Sequence, residues 1–242
     1  MIALIDIGNT RLKYCFVDQG KRGIPQSISN QLLSSTYLSG HFDNITKVIV
    51  ASVSHQNLTD TIELWCTDKN IDYQRVVSEK SKDDVISAYH QPDQLGVDRW
   101  LTLIAANVLY PNKNTLIVDA GTATTIDLIA SNGEHQGGWI LAGIDTLFSC
   151  VLDNTSQVYA KVDKGASLSW GMSTSENVNN ATWAATVGAV NLAVSQSEHQ
   201  GISLDNILLT GGNAQTLASL LEIRCTVVED LVFIGLQAYI NY

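Results

Sequence analysis

Two turns of nearly the same kind carry the residues best suited to chemistry. Thr115–Ile129, TLIVDAGTATTIDLI, reads as an apolar strand (Leu116, Ile117, Val118), a tight turn through Asp119, Ala120 and Gly121, and a β-branched strand (Thr124, Thr125, Ile126) ending at Asp127. The first strand delivers a carboxylate to the turn, and glycine, lacking a Cβ, lets the backbone pass close to a ligand. The hydroxyls of Thr122 and Thr124, with the turn amides, suit phosphate oxygens, and Asp119 suits a metal. Met1–Thr10, MIALIDIGNT, repeats the pattern as an apolar strand followed by Asp6, Gly8, Asn9 and Thr10. Here the Gly8 and Asn9 amides and the Thr10 hydroxyl can hold phosphate, with Lys13 the nearest cation. Read alone, the Asp6 turn is equally an ordinary hairpin turn in which Asp and Asn supply the turn chemistry. Two such turns in one chain are hard to obtain by accident, and they point to a duplicated fold that holds a nucleotide.

Two further stretches add to this set. Thr210-Gly211-Gly212-Asn213 is a glycine turn between a strand and a helix, open to close approach by an adenine or ribose, or simply helix-entry geometry. Gly96-Val97-Asp98-Arg99 opens a helix, where free amides and the helix dipole favour a carboxylate. Asp98 is therefore either a cap or a general base near a substrate hydroxyl, and Arg99 suits a substrate carboxylate. Phosphoryl transfer asks for little beyond positioning, charge neutralisation and such a base.

Other chemistries lack their signatures. No G-x-x-x-x-G-K-[ST], G-x-G-x-x-G or H-E-x-x-H occurs, and no G-x-S-x-G supports a serine nucleophile. The five histidines lack ligand spacing and read as surface or locally bonded residues. Cys15, Cys66, Cys150 and Cys225 are scattered, as expected of reduced thiols.

The elements that must position these residues follow from periodicity. Ile2–Ile7 and Leu12–Val17 are predicted antiparallel strands. Lys47–Ser52 is a buried strand, Thr59–Lys69 a helix and Tyr73–Val77 a strand. A helix starts at Leu95-Gly-Val-Asp-Arg-Trp and ends at Pro111. The second half repeats this order, with strands Leu116–Asp119 and Thr124–Ile129, a mixed helical region to about Asp153 and a loop-rich segment from Lys164 to Asn179. Helix Asn180–Ser197, strand Asn206–Thr210 and a last helix, Val232–Tyr239, follow. The break near Pro111–Asn114 sets the expected division at residues 1–112 and 113–242.

Composition narrows the partners. The chain has 242 residues, 45% of them hydrophobic, enough for one large core or two smaller ones. A formal charge of −10 weighs against a nucleic-acid surface. Anionic ligands must then be held by local amides, a few cations and metal. No positive n-region precedes the first strand, and no apolar run reaches membrane-spanning length. A cytoplasmic protein is expected.

Together, Asp6-Ile-Gly-Asn-Thr, Leu95-Gly-Val-Asp-Arg-Trp, Val118-Asp-Ala-Gly-Thr-Ala-Thr-Thr-Ile-Asp, Gly137-Gly-Trp-Ile and Thr210-Gly-Gly-Asn-Ala resemble the type III pantothenate kinases. These belong to the acetate/sugar kinase–Hsc70–actin superfamily. The motifs run from residue 6 to about 214, nearly the whole chain. The resemblance implies an α/β fold of two RNase H-like (actin-like ATPase) domains related by duplication, with mixed sheets flanked by helices. It implies ATP-dependent phosphorylation of pantothenate to 4′-phosphopantothenate, the first step towards coenzyme A. It also implies ATP, Mg²⁺, a monovalent cation (K⁺ or NH₄⁺) and a homodimer.

Carried over by position, Asp98 is the base that deprotonates the pantothenate hydroxyl. Tyr89, Gly96, Val97, Arg99 and Thr182 bind pantothenate. Asp6, Gly8, Asn9, Thr10, Lys13, Gly121, Thr122, Gly211 and Gly212 serve ATP, with Asp6 also towards Mg²⁺ and Asp119 towards the monovalent cation. Two departures stand out. The family's Gly-Gly-x-Ile-x-Pro-Gly reads GGWILAG, with Ala142 for proline, and Gly188 sits one residue early relative to Thr182. The competing expectations are a kinase of the same superfamily acting on a sugar or hydroxy acid, and a non-catalytic regulatory homologue.

Overall fold

The first strand shows how the sheet is built. β1 (Ile2–Ile7) alternates sides, as strands must, sending Ala3, Ile5 and Ile7 into a helix-covered core and leaving Asp6 on the other face. The chain turns at Gly8, whose amide donates to the Arg11 carbonyl at 3.0 Å. It returns as β2 (Arg11–Asp18), antiparallel to β1, with Asp6 directly opposite Lys13. β3 (Lys21–Arg22) and β4 (Gln26–Ser29) both pair with β2. α1 (Ser35–His41) leads to β5 (Lys47–Ser52), and α2 (Gln56–Lys69) to β6 (Asp72–Arg75). β5 runs parallel to β1 and β6 parallel to β5, giving the order β3-β2-β1-β5-β6. The run VIVA of β5, Val48 to Ala51, is apolar throughout because a central parallel strand is buried on both faces. A two-stranded hairpin, β7 (Ser81–Lys82) with β8 (Val85–Ile86), precedes α3 (Val97–Leu109).

The computed structural model describes residues 1–161 and 165–240. Its chain divides into two units, the second spanning Tyr110–Glu229. There β9 (Thr115–Ala120), β10 (Ala123–Ile129) and β11 (His135–Ala142) form an antiparallel meander. α4 (Ile144–Asp153) and α5 (Thr174–His199) follow, then β12 (Asn206–Thr210), α6 (Ala214–Leu220) and β13 (Thr226–Val227). The order is β11-β10-β9-β12-β13, with β12 parallel to β9 and β13 parallel to β12. Position by position this is the sheet of the first unit, so the expected duplication and the mixed α/β class are both present.

Two expectations change. The first unit ends at Leu109 and regains the segment from Asp230 onward, whereas the sequence placed all of 113–242 in one domain. The cause is α7 (Leu231–Gln237), which buries Leu231, Phe233 and Leu236 and packs on α3. A Cβ at Gly235 would run into the Leu101 backbone, so the two helices touch main chain to main chain. Second, α5 begins six residues earlier than expected. Ser173 accepts from the Glu176 amide at 3.2 Å, while the Glu176 carboxylate accepts from the Met172 amide, a variant of the capping box in which the acid reaches one residue before the cap. The loop-rich segment expected from Lys164 starts outside the described residues. Among those described, no helix is long and apolar enough to cross a membrane.

Candidate active site

In the first unit, the β1–β2 turn places Asp6 half-buried at the strand end, and leaves Asn9, Thr10 and Lys13 exposed. The turn is braced from behind. The Asn30 side-chain amide donates to the Gly8 carbonyl at 2.9 Å and the Asn9 carbonyl at 3.1 Å, and the Asn30 backbone amide to the Thr10 carbonyl at 3.2 Å. Carbonyls repel anions, so engaging them favours phosphate at this turn. Sequence reasoning missed Asn30. It lies twenty-odd residues downstream in a short 3₁₀ turn, and no local pattern links it to Gly8.

The second candidate element of this unit is the start of α3. The Gly96 carbonyl accepts the first helical bond, from the Trp100 amide at 3.0 Å. The Asp98 carboxylate accepts from the Arg99 amide at 2.8 Å, an otherwise orphaned donor of the first turn. A Cβ at Gly96 would come within 2.6 Å of the Asp98 carboxylate, so glycine there leaves the acid its room. Capping does not preclude catalysis, since each oxygen of an ionised carboxylate can accept more than one hydrogen bond. Arg99 is 4% exposed. Its guanidinium donates to the Tyr89 hydroxyl at 2.9 Å and lies 5.7 Å from the Tyr89 ring centroid. Tyr89, Gly96, Asp98 and Arg99 are therefore brought together. Val97 is buried, so its backbone is the part available to a ligand.

In the second unit, Asp119, next to last in β9, lies on the face away from the helix-covered core, level with Thr125 of β10 and Thr210 of β12. Gly211 has φ +90°, in the region that favours glycine, and a Cβ there would meet the Asp119 carboxylate and the Ala120 backbone. The Asn213 amide donates to the Ala120 carbonyl at 3.0 Å. The Asp119 and Gly211–Gly212 turns therefore pack on each other. The Thr122 carbonyl accepts from the Gly143 amide and the Thr146 hydroxyl, both at 3.1 Å, repeating the bracing seen at Gly8. Thr124 departs from expectation. It is fully buried on the core face with Ile126, where its hydroxyl cannot meet a ligand. Thr182 is buried within α5, and its hydroxyl donates to the Asn179 carbonyl at 2.8 Å.

His135 and Asp127 form a pair that the sequence reading passed over. His135 Nε2 lies 2.9 Å from the Asp127 carboxylate, with both side chains fully buried. The contact straddles a register shift in the β10–β11 ladder, which no eight-residue spacing announces. Burial pushes the Cys15 and Cys66 thiols up to about 12, so neither is a nucleophile at neutral pH. Among the described residues no group of three or more His, Cys, Asp or Glu side chains could hold a metal ion. Mg²⁺ in phosphate sites needs only one or two carboxylates, the phosphates supplying other oxygens. Asp6 at its braced turn fits that donor set.

The fold is shared with solved structures of the actin-like ATPase and sugar kinase group. A Campylobacter jejuni protein assigned to the Baf family of transcriptional activators superposes with a TM-score of 0.63 at 21% identity, covering 97% of this chain and 95% of that one. The activator of 2-hydroxyisocaproyl-CoA dehydratase from Clostridium difficile, with bound ADPNP, gives 0.52 at 13% identity, covering 98% and 93%. Likenesses this remote show the fold alone. Sequence relatives go further. The type III pantothenate kinase of Colwellia psychrerythraea is 44% identical over 99% of this chain and 100% of its own length. A family model described as type III pantothenate kinase matches residues 2–196, a span holding the Asp6 turn, the Asp98 helix start and the Asp119 turn. With those three elements folded as described, the chain belongs to the type III pantothenate kinase family.

Proposed function

We propose that the protein transfers the γ-phosphoryl group of ATP to the hydroxyl of pantothenate, giving 4′-phosphopantothenate and ADP, the opening step of coenzyme A synthesis. The observation that carries this reading is the start of α3, with an acid and a buried arginine on consecutive residues and the arginine tied to Tyr89. Pantothenate offers a carboxylate and a primary alcohol. Arg99 takes the carboxylate through its forked donors. Asp98 accepts the alcohol proton as the oxygen attacks the γ-phosphorus, and the bond from that phosphorus to the bridging oxygen breaks to release ADP.

The remaining roles belong to the same proposal. Asp6, Gly8, Asn9, Thr10, Lys13, Gly121, Thr122, Gly211 and Gly212 bind ATP, with Asp6 holding Mg²⁺, which neutralises phosphate charge when bound. Asp119 holds potassium or ammonium, and the glycine wall at Gly211 supports that role by leaving its carboxylate room. Tyr89, Gly96 and Val97 complete the pantothenate site. A homodimer would give cover to exposed apolar side chains such as Tyr159, Leu168, Trp170 and Met172. The cytoplasm is the proposed location.

The test is ADP release coupled to an indicator reaction, with purified protein, ATP and pantothenate, run beside glucose and acetate. Turnover with pantothenate alone is expected. Turnover with glucose and none with pantothenate would replace this reading with that of a sugar kinase.

A further inference from the structure

We infer that Tyr239, far from Asp98 in sequence, is a positioning residue for the catalytic acid, acting through Trp100. This rests on the assignment of Asp98 as the base. Trp100 follows Asp98 and Arg99 in α3 and is fully buried. An indole N–H only donates, and when buried it needs an acceptor. That acceptor is the Tyr239 hydroxyl at 2.9 Å, which in turn donates to the Glu79 carboxylate at 2.7 Å. The three groups form a one-directional relay with each proton used once. Burial, and then the bond to Glu79, hold the Tyr239 phenol well above its usual pKa, so the hydroxyl keeps the proton that the relay needs.

The anchor is itself fixed. Arg22 reaches Asp230 and Gln237, each at 2.5 Å, tying α7 to β3 of the same unit. Gly235 sits against the Leu101 backbone. Lys82 lies 5.0 Å from the Tyr239 ring centroid. The Ser78 hydroxyl donates to the Leu95 carbonyl at 2.7 Å, holding the approach to α3.

The geometry explains why this matters. At 3.6 residues per turn, Asp98 lies about 160° around α3 from Trp100. Fixing the indole on one side therefore fixes the direction of the carboxylate on the other. A roll of about 15° at a radius of about 5 Å moves the carboxylate by roughly 1 Å. Misplacement of up to that size costs as much as about a hundredfold in rate.

The experiment uses Tyr239→Phe in the full chain, which keeps the ring and removes the hydroxyl. Expected is a kcat for pantothenate phosphorylation, per folded enzyme, lowered by about tenfold, with KM for ATP within about twofold of wild type. A packing role alone would reduce the folded fraction and leave kcat per folded enzyme unchanged, and that result overturns the inference. Glu79→Gln keeps an acceptor and is expected to retain wild-type kcat, whereas Glu79→Ala loses part of it. If Tyr239→Phe does not fold, this pair decides, and equal kcat in the two Glu79 variants overturns the proposal. A wild-type protein inert towards pantothenate refutes the kinase reading instead. The anchor is then judged by hydrogen exchange in the first turn of α3 in Glu79→Ala. Faster exchange than wild type supports it, and unchanged exchange overturns it.

Discussion

Across the hairpin from Asp6 stands Lys13, and across the corresponding hairpin from Asp119 stands Thr125. The strand beside Asp6 continues into Ser52 and Val53, while the strand beside Asp119 continues into Gly211, whose backbone closes on the carboxylate. Both turns have their carbonyls engaged from behind, by Asn30 in one unit and by Gly143 and Thr146 in the other. Duplication thus preserved the scaffold and the bracing and changed what surrounds the acid. One acid has a cation and open polar groups beside it, suited to phosphate with Mg²⁺. The other has neutral oxygens and glycine backbone, suited to a singly charged ion. The acid–arginine pair that opens α3 has no counterpart among the described residues of the second unit.

If the chemistry resides in the first unit, Asp98→Asn has the largest effect. It is expected to lower kcat by about 10²–10⁴-fold while ATP affinity, measured by calorimetry, stays unchanged. Near-normal turnover would remove Asp98 from the mechanism. The two turn acids should then fail differently. Asp6→Asn is expected to lower kcat/KM for ATP by about a hundredfold and to raise the Mg²⁺ requirement. Asp119→Asn is expected to abolish the response to potassium. Identical phenotypes, or full wild-type turnover in sodium-only buffer, would break the contrast.

A smaller effect separates the two glycines beside Asp119. Gly211→Ala places a Cβ at φ +90° against the Ala120 backbone and should cost about 1–3 kcal/mol in urea unfolding. Gly212→Ala meets nothing within 4 Å and should stay within about 0.5 kcal/mol of wild type. The smallest effect belongs to Lys13→Met. The exposed ammonium is expected to change KM for ATP by about two- to fivefold, less at high salt.

Much of this was legible in the sequence because it is local. The Asp-x-Gly turns, the alternation that makes β1 and β9, and the acid at the start of α3 all lie within ten residues. What stayed hidden depends on contacts between distant residues. Asn30 reaches Gly8 only because β4 pairs with β2, and His135 meets Asp127 only through a shifted register. The destination of α7 was equally invisible, since seven residues with an apolar face do not say which helix they cover. Two misreadings had their signals in plain view. Ser173 and Glu176 have capping-box spacing, and strict alternation from Ile126 places Thr124 on the core face rather than at the ligand.

The return of α7 has a consequence for synthesis. The stretch from Tyr110 to Glu229 is continuous and can close on itself as soon as it leaves the ribosome. The half translated earlier has to wait, its Trp100 indole without an acceptor until Tyr239 emerges about ten seconds or more later. What is made first is finished last. In that interval the exposed flank of α3 is the surface on which holdase chaperones should act.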